Sequence, residues 1–530
     1  MRRAAVGVAA AVALAVPAVA HATAAHDAAL ARKGITNAVA RHWVKPADAQ
    51  RYRAAVTRAL RDVKTLPRLR ANVVAAQLAQ LTPLWDSYTS PRALTLFTQL
   101  ATNLDYFETH VLPTTRIDVA GDDGVVYRWF PRLGLEFHPL ANFGALNAVA
   151  AAGDADSTRT LADALLARGV PRGGRLLWEY EFRFQGGRPP WASGMTQAVA
   201  AQALARASVL LQDTQVGTAA VRAFASVPPF LLVLPSGPWI RLYGFNGQVV
   251  LNAQLQAILS LLEYSSTAQD EGAASLAQQL TTTAQALFPR FDTGDWSRYQ
   301  LGGAYAPREY QKFVTDLLAK LARQTKDPFW TTTSQRFHAY LYDPPQVTQP
   351  SPPPTIWPQP LDGWYDVAPI TISLSMRASV TLAVAGKVST YKLNAGTRTL
   401  NWTPPAGLQP GTYPAQVAVT SYAGNRATYT LAPLVVRWDT TPPAVTAASI
   451  SGTTLSWQAD DPGTPSLGLA VDLVDPAGVN PPQTLDLGQQ PVSGSVTLAA
   501  PPGTWQATLR LTNSAGLTTP YPLGTFTSPG

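Results

Sequence analysis

Three short segments each place a tyrosine close to an arginine at a break between predicted helices. The pairs are Arg241 with Tyr243, Arg298 with Tyr299, and Arg308 with Tyr310. A tyrosine can donate or accept a proton, but its unperturbed pKa of about 10 keeps it protonated near neutral pH. A nearby guanidinium favours the phenolate and lowers that pKa. The three segments are therefore candidates for proton transfer by tyrosine.

Further polar and aromatic residues lie at predicted helix starts. Trp191 and Gln197 lie where RPPWASGMTQ (188–197) leads into a helix, and Asn246 is predicted to open another helix over 246–266. We predict that Trp191, Gln197 and Asn246 contact substrate. For Trp191 and for Trp239, packing in the core is the alternative interpretation.

The composition disfavours several other chemistries. Cysteine is absent, so thiol nucleophiles and cysteine metal sites are excluded. Four of the six histidines lie outside the N-terminal region (His42, His110, His138 and His338), and none shows the HxH or HxxxH spacing of a zinc site. We interpret His138 as a capping or core residue and Asn252 as a buried hydrogen-bonding residue. No metal site and no cofactor are predicted.

The first 22 residues are typical of a secretory signal. Two arginines precede an apolar run that ends in the small-residue stretches AVA (18–20) and AHA (20–22). The run is shorter than the roughly 20 apolar residues of a membrane span, and no later segment qualifies. We therefore predict a secreted or cell-surface protein without stable membrane insertion.

Positive charge is concentrated before residue 345. The chain carries a formal charge of +8, while residues 345–530 hold seven Lys or Arg and eight Asp, which leaves +9 on residues 1–344. Either arginine-rich codon usage explains this excess, or the surface attracts a polyanion. Because the chain looks exported and shows no nucleic-acid motif, an acidic polysaccharide is the favoured partner over nucleic acid.

Residues 27–343 carry mainly helical periodicity. The predicted helical runs are 51–66, 89–104, 145–154, 158–170, 193–213, 246–266, 271–288, 309–325 and 330–341. Consecutive helical hairpins of this kind predict an all-α region with the architecture of an α/α toroid, in which paired helices ring a central cleft. Residues 125–130 and 175–184 alternate in polarity and predict small β-hairpins on the rim of that cleft.

A change of pattern follows the helical region. Residues 344–360 contain eight prolines and predict an extended linker. Beyond it, residues 361–438 and 443–530 show short alternating strands, and 410–424 aligns without gaps onto 502–516. A repeat of this size predicts two all-β, immunoglobulin-like sandwiches. They serve either as spacers and cell-surface attachments or as carbohydrate-binding modules, for which Tyr413, Tyr422 and Trp505 are the candidate residues.

Five motifs, in order, resemble the C-terminal catalytic domain of the D-glucuronyl 5-epimerases, which act on heparosan and heparan sulfate. They are PWASGMTQAVAAQALARAS, WIRLYGFNGQVVLNAQLQAILSLLEY, LFPRFDTGDWSRYQL, REYQKFVTDLL and QRFHAYL. Together they cover residues 188–341. The family's fold is a small β portion with an α/α helical domain, which agrees with the helical periodicity.

The resemblance implies an isomerase that inverts carbon 5 of a glucuronic acid residue within a polysaccharide. The family's catalytic tyrosines map onto Tyr243, Tyr299 and Tyr310, and we predict that Arg241, Arg298 and Arg308 orient the carboxylate. A homodimer is a further expectation from the resemblance.

Several positions depart from the family pattern. Leu242 and Gln300 stand where the family has acidic residues, and Gln311 and Val314 stand in the neighbourhood of its histidines. The alternatives are a polysaccharide lyase on the same scaffold and a non-catalytic surface protein that binds acidic glycans.

Overall fold

The computed structural model describes residues 18–121 and 123–529, with side chains from residue 23 onward. The predicted signal segment, residues 1–22, therefore lies outside the described residues except for the backbone of residues 18–22. The chain divides into two compact units, the first made of Met1–Thr293 and Ser297–Gln335 and the second of Gly294–Trp296 and Arg336–Gly530. Among the described helices, none combines the length and apolar character that crossing a bilayer requires.

The first unit is mainly helical. Its helices are α1 (Ala18–Ala40), α2 (Pro46–Thr65), α3 (Arg68–Leu81), α4 (Ser90–Thr109), α5 (Pro139–Ala151), α6 (Ala155–Leu166), α7 (Gly194–Leu211), α8 (Thr214–Phe224), α9 (Leu251–Ala268), α10 (Glu271–Leu287), α11 (Arg308–Thr325) and the start of α12 (Pro328–Tyr342). The helical character predicted for this part of the chain is thus confirmed.

Small antiparallel sheets interrupt these helices. Their strands are β1 (Asp118–Ala120), β2 (Val126–Phe130), β3 (Gly134–Phe137), β4 (Val170–Arg172), β5 (Arg175–Leu177), β6 (Leu231–Leu234) and β7 (Gly237–Ile240). The first three form one sheet, and the other four form two hairpins. Of the predicted strand 175–184, only the start is regular, because beyond β5 the chain makes isolated bridges between Tyr180 and Trp191 and between Phe184 and Gly187.

Capping side chains fix several helix starts. The Ser193 hydroxyl accepts a hydrogen bond from the Thr196 amide at α7, and the Asp270 carboxylate accepts one from the Ala273 amide at α10. The predicted helix over 246–266 starts later, at Leu251. Asn246 instead forms a turn in which its side-chain oxygen accepts a hydrogen bond from the Gln248 amide.

Helix α3 has no counterpart among the predicted runs because polar residues occupy its buried face. Gln77 and Gln80 both donate hydrogen bonds to Oε1 of the fully buried Glu136, and Gln99 of α4 donates to its Oε2. Burial raises the pKa of Glu136 to about 7, although the three amide donors oppose that shift. A buried polar network of this kind interrupts the apolar periodicity that would otherwise reveal a helix.

The second unit is built from antiparallel sheets. Its strands are β8 (Val347–Thr348), β9 (Ala368–Leu374), β10 (Ala378–Val384), β11 (Lys387–Leu393), β12 (Gly396–Trp402), β13 (Gly411–Thr420), β14 (Arg426–Val436), β15 (Ala444–Ser451), β16 (Thr454–Asp460), β17 (Ser466–Val474), β18 (Gln483–Pro491), β19 (Ser493–Thr497), β20 (Gly503–Thr512) and β21 (Thr518–Ser528).

These strands form two successive sandwiches. The first pairs the sheet β11-β10-β13-β14 with β12-β9-β8, and the second pairs β15-β16-β19 with β18-β17-β20-β21. Each has its own core of alternating inward side chains drawn from both sheets. Strands β13 and β20 occupy equivalent places, as do β14 and β21, which agrees with the repeat in the sequence. The proline-rich stretch contributes β8 and the fully buried Ile356 to the first sandwich.

The candidate aromatic residues of the sandwiches differ in exposure. Trp505 is fully buried in the second core, whereas Tyr422 is 55% exposed. Tyr413 packs against the first core, and its hydroxyl donates a hydrogen bond to the Gln409 carbonyl. Of the three, Tyr422 is thus the most exposed, although its ring also packs against Trp296.

Candidate functional site

The three candidate tyrosines converge. Tyr243 lies in the loop after β7, Tyr299 in the loop before α11, and Tyr310 in the first turn of α11. The hydroxyl oxygens of Tyr243 and Tyr299 are 3.4 Å apart, and the rings of Tyr299 and Tyr310 have centroids 4.8 Å apart. All three side chains line one cavity of about 240 Å³, called the tyrosine cavity below.

Backbone hydrogen bonds hold the two tyrosine loops together. The Leu301 amide donates to the Val249 carbonyl at 2.9 Å, and Val250 and Gln300 form an antiparallel bridge. On the other side, the Gly244 amide donates to the Ala192 carbonyl at 2.8 Å. A Cβ at Gly244 would lie 2.5 Å from that same carbonyl oxygen, so this close approach requires glycine.

The Tyr310 hydroxyl is committed to the backbone of its neighbours. It accepts a hydrogen bond from the Asn252 amide at 3.0 Å and donates one to the Tyr299 carbonyl at 3.1 Å. Tyr310 therefore ties the start of α9 to the loop that carries Tyr299.

Aromatic and apolar side chains make up most of the remaining wall. They are Phe130, Leu140, Tyr180, Phe182, Phe184, Trp191, Met195 and Leu242. Trp191 stacks on Tyr180 with ring centroids 4.1 Å apart and meets Tyr243 edge-on at 5.9 Å. Its indole nitrogen donates to the Phe182 carbonyl. Trp191 thus combines both interpretations made from the sequence, because it packs in an aromatic cluster and lines the cavity.

Arg128 of β2 and His138, which precedes α5, bring polar groups to the same cavity. Arg128 forms a bidentate ion pair with Asp118, with nitrogen–oxygen distances of 2.8 and 2.7 Å. Nδ1 of His138 accepts the Ala141 amide and caps α5, which agrees with the capping role predicted for this residue. Because Nδ1 accepts, a neutral His138 carries its proton on Nε2.

Arg128 was not predicted from the sequence, and His138 was predicted only as a capping or core residue. The only local feature of this segment is a predicted hairpin followed by His138-Pro139 at a helix start. That feature does not predict contact with tyrosines more than a hundred positions away. Only the fold brings β2 and the start of α5 to the three tyrosine segments.

The three arginines that neighbour the tyrosines in sequence do not line the tyrosine cavity. Arg241 donates to the Asn246 carbonyl within its own turn, and Arg298 donates to the Gly303 carbonyl. Arg308 is exposed at the start of α11. Adjacent residues in a loop direct their side chains differently, so arginines that neighbour the tyrosines in sequence do not reach the cavity with them.

Gln197 and Asn246 also lie away from the cavity wall. Gln197 is fully buried, and its amide oxygen and nitrogen bond to the amide and carbonyl of Trp178. Asn246 shapes the turn before α9. Asn252, by contrast, does line the cavity, and its buried side-chain oxygen has no hydrogen-bond partner among the described residues.

Burial sets the protonation states in the cavity. It raises the pKa of Tyr243, and the nearby Tyr299 hydroxyl adds to that rise. It likewise raises the pKa of Tyr310, and it raises that of Tyr180 to about 12. Burial and the positive charge of Arg128 lower the pKa of His138 to about 3. At neutral pH burial therefore keeps Tyr180, Tyr243, Tyr310 and His138 neutral in the unliganded cavity.

Metal-binding groups do not accompany these residues. Within the described parts of the chain, no group of three or more His, Asp or Glu side chains is placed to hold a metal ion. The chemistry that these side chains can perform is proton transfer by paired phenols beside one arginine.

Residues 172–339 match the family model described as D-glucuronyl C5-epimerase C-terminus. This segment belongs to that family. The family predicted from the five motifs is thus confirmed, and the epimerase-family segment holds Tyr243, Tyr299 and Tyr310. Arg128 and His138 come from outside it. Comparison with curated proteins found no match.

Solved structures resemble parts of the chain at low identity. A family 8 endoglucanase from Klebsiella pneumoniae is 14% identical, with 40% of this chain and 72% of that chain covered and a TM-score of 0.30. A GH76 alpha-mannanase from Bacteroides thetaiotaomicron is 16% identical, with 38% and 60% covered and a TM-score of 0.29.

Fibronectin(III)-like modules of Clostridium thermocellum CbhA are 15% identical, with 35% of this chain and 94% of that chain covered and a TM-score of 0.18. Likenesses of this size carry no inference about function.

Proposed function

We propose that this protein removes the carbon-5 proton of glucuronic acid residues in an acidic polysaccharide and returns a proton on the opposite face. The observation that carries the proposal is the hydroxyl pair of Tyr243 and Tyr299, 3.4 Å apart, in a cavity of the epimerase-family segment. Inversion at carbon 5 needs one group to take a proton and another to give one. Two phenols in one cavity supply both roles when the sugar ring enters between them and separates the two hydroxyls.

The pairing of the two hydroxyls also helps one of them to act as a base in its phenolate form. When one phenol loses its proton, the other can donate a hydrogen bond to the resulting phenolate, and hydrogen bonding to a charged form favours that form. Burial raises the pKa of Tyr243 in the unliganded state, so the phenolate requires a cation nearby. Arg128 is the arginine that lines this cavity, and we assign it to the substrate carboxylate rather than Arg241, Arg298 or Arg308.

Arg128 and His138 suit the charge that develops during the reaction. Proton loss next to a carboxylate concentrates negative charge on the carboxyl oxygens. A guanidinium held in place by Asp118 and a neutral imidazole with Nε2–H are both hydrogen-bond donors that can meet that charge. Tyr310 acts as a positioning residue in this scheme, because its hydroxyl is already bonded to Asn252 and Tyr299.

A second cavity favours a polymeric substrate over a single sugar. It measures about 290 Å³ and shares Trp191 with the tyrosine cavity. Phe230 and Phe245 line it together with Arg188, which is exposed and makes no hydrogen bond or ion pair with the described residues. Aromatic faces and a guanidinium suit a neighbouring acidic sugar of the same chain.

The test is hydrogen exchange at carbon 5. The full chain is incubated with a glucuronic acid polymer in deuterated water, and the depolymerised product is analysed for deuterium and for the carbon-5 epimer. We expect deuterium at carbon 5 together with the inverted sugar. An unsaturated uronate, seen by its ultraviolet absorbance, would instead identify a lyase. Binding of the polymer without deuterium uptake or chain cleavage would leave only a glycan-binding protein.

Leu242 is the specific observation that favours this last, non-catalytic alternative. It lines the tyrosine cavity at the position where the family carries an acidic residue. An apolar side chain there cannot transfer a proton or accept a hydrogen bond. The exchange experiment therefore decides whether the two tyrosines and Arg128 suffice.

The proposal extends to the organisation and location of the chain. We propose an α/α toroid over residues 27–343, a linker over 344–360 and immunoglobulin-like modules over 361–438 and 443–530, in an exported protein whose modules contact a cell surface or glycan. The helical first unit, the two sandwiches and the signal-like N-terminus support this. Fractionation of the native host with an antibody would contradict export if the full-length chain stayed in the cytoplasm.

The homodimer implied by the family resemblance stays part of the proposal. Sedimentation of the purified chain at several concentrations would test it, and a single monomeric species throughout would exclude it.

A further inference from the structure

A third cavity lies at the opposite end of the helices that carry the tyrosine cavity. Its volume is about 490 Å³, and its walls come from α5, α7, α9 and α11. The same four helices supply Leu140, Met195, Asn252 and Tyr310 to the tyrosine cavity, in each case from their first turn. The four helices therefore run in the same direction, and their later turns line this third cavity, called the far cavity below.

The far cavity is polar and positively charged. Its wall includes Asn147, Gln202, Arg206, Glu263, Lys320 and Arg323. Glu263 neutralises Arg206, with which it forms an ion pair, and also accepts a hydrogen bond from the Gln202 amide at 2.6 Å. Lys320 and Arg323 form no ion pair with the described residues, so two positive charges are left without an acidic partner.

The polar network in the far cavity is held in place before any ligand binds. Nη1 of Arg206 donates to the Asn147 carbonyl at 3.0 Å, and the Asn147 amide nitrogen lies 3.4 Å from Oε1 of Gln202. The remaining side-chain oxygen of Asn147 is buried and has no hydrogen-bond partner among the described residues.

We propose that the far cavity binds a small anionic ligand that carries a carboxylate, sulfate or phosphate group. Lys320 and Arg323 would pair with the anionic group, because charge-assisted hydrogen bonds to such oxygens are stronger than neutral ones. The site is separate from the tyrosine cavity and does not depend on the function proposed for it.

Calorimetric titration of the full chain tests this site. The probes are sodium sulfate, sodium phosphate and a glucuronate-containing disaccharide, each against sodium chloride at matched ionic strength. We expect saturable binding of at least one oxyanion probe. Tighter binding of the disaccharide than of either inorganic ion would identify an acidic sugar as the ligand, and the reverse order would identify a free oxyanion.

Variants distinguish anion binding at the far cavity from binding to positive charges elsewhere on the surface. Lys320→Ala combined with Arg323→Ala should weaken binding about tenfold or more, the loss of one or two charge-assisted hydrogen bonds. Asn147→Asp should also weaken it, by adding a negative charge. Lys312→Ala removes a charge from the same helix outside the cavity and should leave binding unchanged.

Tyr299→Phe should leave anion binding at the far cavity unchanged whether or not the protein is an epimerase. Absence of saturable binding by every probe, or equal weakening by Lys312→Ala and by the double variant, would overturn the proposal.

Discussion

The hydroxyl oxygens of Tyr243 and Tyr299 lie 3.4 Å apart although 56 positions separate these residues in the chain. Two phenols at this distance share one hydrogen bond, so removing either hydroxyl leaves the other without its partner. We expect Tyr243→Phe and Tyr299→Phe each to lower deuterium uptake at carbon 5 by about 100-fold or more, the usual contribution of a general acid or base.

The double variant sharpens this prediction. The effects of substituting residues that act as one unit are not additive. The double variant Tyr243→Phe/Tyr299→Phe should therefore lose little more exchange activity than the worse of the two single variants. Multiplication of the two single losses would show that the hydroxyls act independently. The circular dichroism spectrum of each variant checks that the fold is retained.

Tyr310→Phe should affect stability more directly than proton transfer. The change leaves the Asn252 amide without its acceptor and removes one of two donors to the Tyr299 carbonyl, which keeps the Leu251 amide at 3.4 Å. An unsatisfied buried polar group costs about 1–3 kcal/mol, which urea unfolding would measure. Tyr106→Phe is the control, because the Tyr106 hydroxyl makes no hydrogen bond with the described residues. If Tyr310→Phe lowered exchange as strongly as Tyr299→Phe without destabilising the chain, Tyr310 would be a catalytic residue.

Arg128→Ala should raise KM for the polymer at least tenfold, because it removes the guanidinium proposed to bind the carboxylate. Arg128→Lys keeps the charge but not the bidentate geometry, so its KM should fall between those of the wild type and Arg128→Ala. Asp118→Asn serves as the matched control, since it breaks the ion pair and leaves the positive charge in the cavity. An unchanged KM in Arg128→Ala would remove this residue from the proposed mechanism.

Because the pKa of His138 is lowered in the folded protein, we expect the protein to lose stability as the pH falls. Its pKa is lowered to about 3, below its ordinary value of 6.5, so the unfolded chain binds the proton more readily than the folded chain. The stabilisation is complete above pH 6.5 and is lost as the pH falls toward 3. Between pH 6.5 and pH 5 the loss should reach about 2 kcal/mol.

His138→Asn isolates this effect, because asparagine can still cap α5 but does not titrate. Urea unfolding at a series of pH values should show a shallower decline for the variant than for the wild type. Parallel declines would show that other groups cause the acid sensitivity.

The tyrosines could be predicted from sequence because each lies in a family-like motif at a break between predicted helices. Their arginine neighbours do not line the tyrosine cavity, because a loop turns successive side chains in different directions and Arg241 and Arg298 bond to carbonyls of their own turns. Arg128 could not be predicted, since its place in the cavity depends on how the β2–β3 hairpin packs against distant helices. The late start of α9 follows from the Asn246 turn, which local polarity alone did not distinguish from a cap.

The common direction of α5, α7, α9 and α11 has an electrostatic consequence. Every helix carries partial positive charge on the unpaired amide groups of its first turn and partial negative charge at its other end. Four helices that start at one cavity add their fields there, which favours a carboxylate without any further formal charge. The helix ends therefore supplement Arg128 at the tyrosine cavity. An anion in the far cavity lies toward the negative ends of the same helices and depends on the formal charges of Lys320 and Arg323.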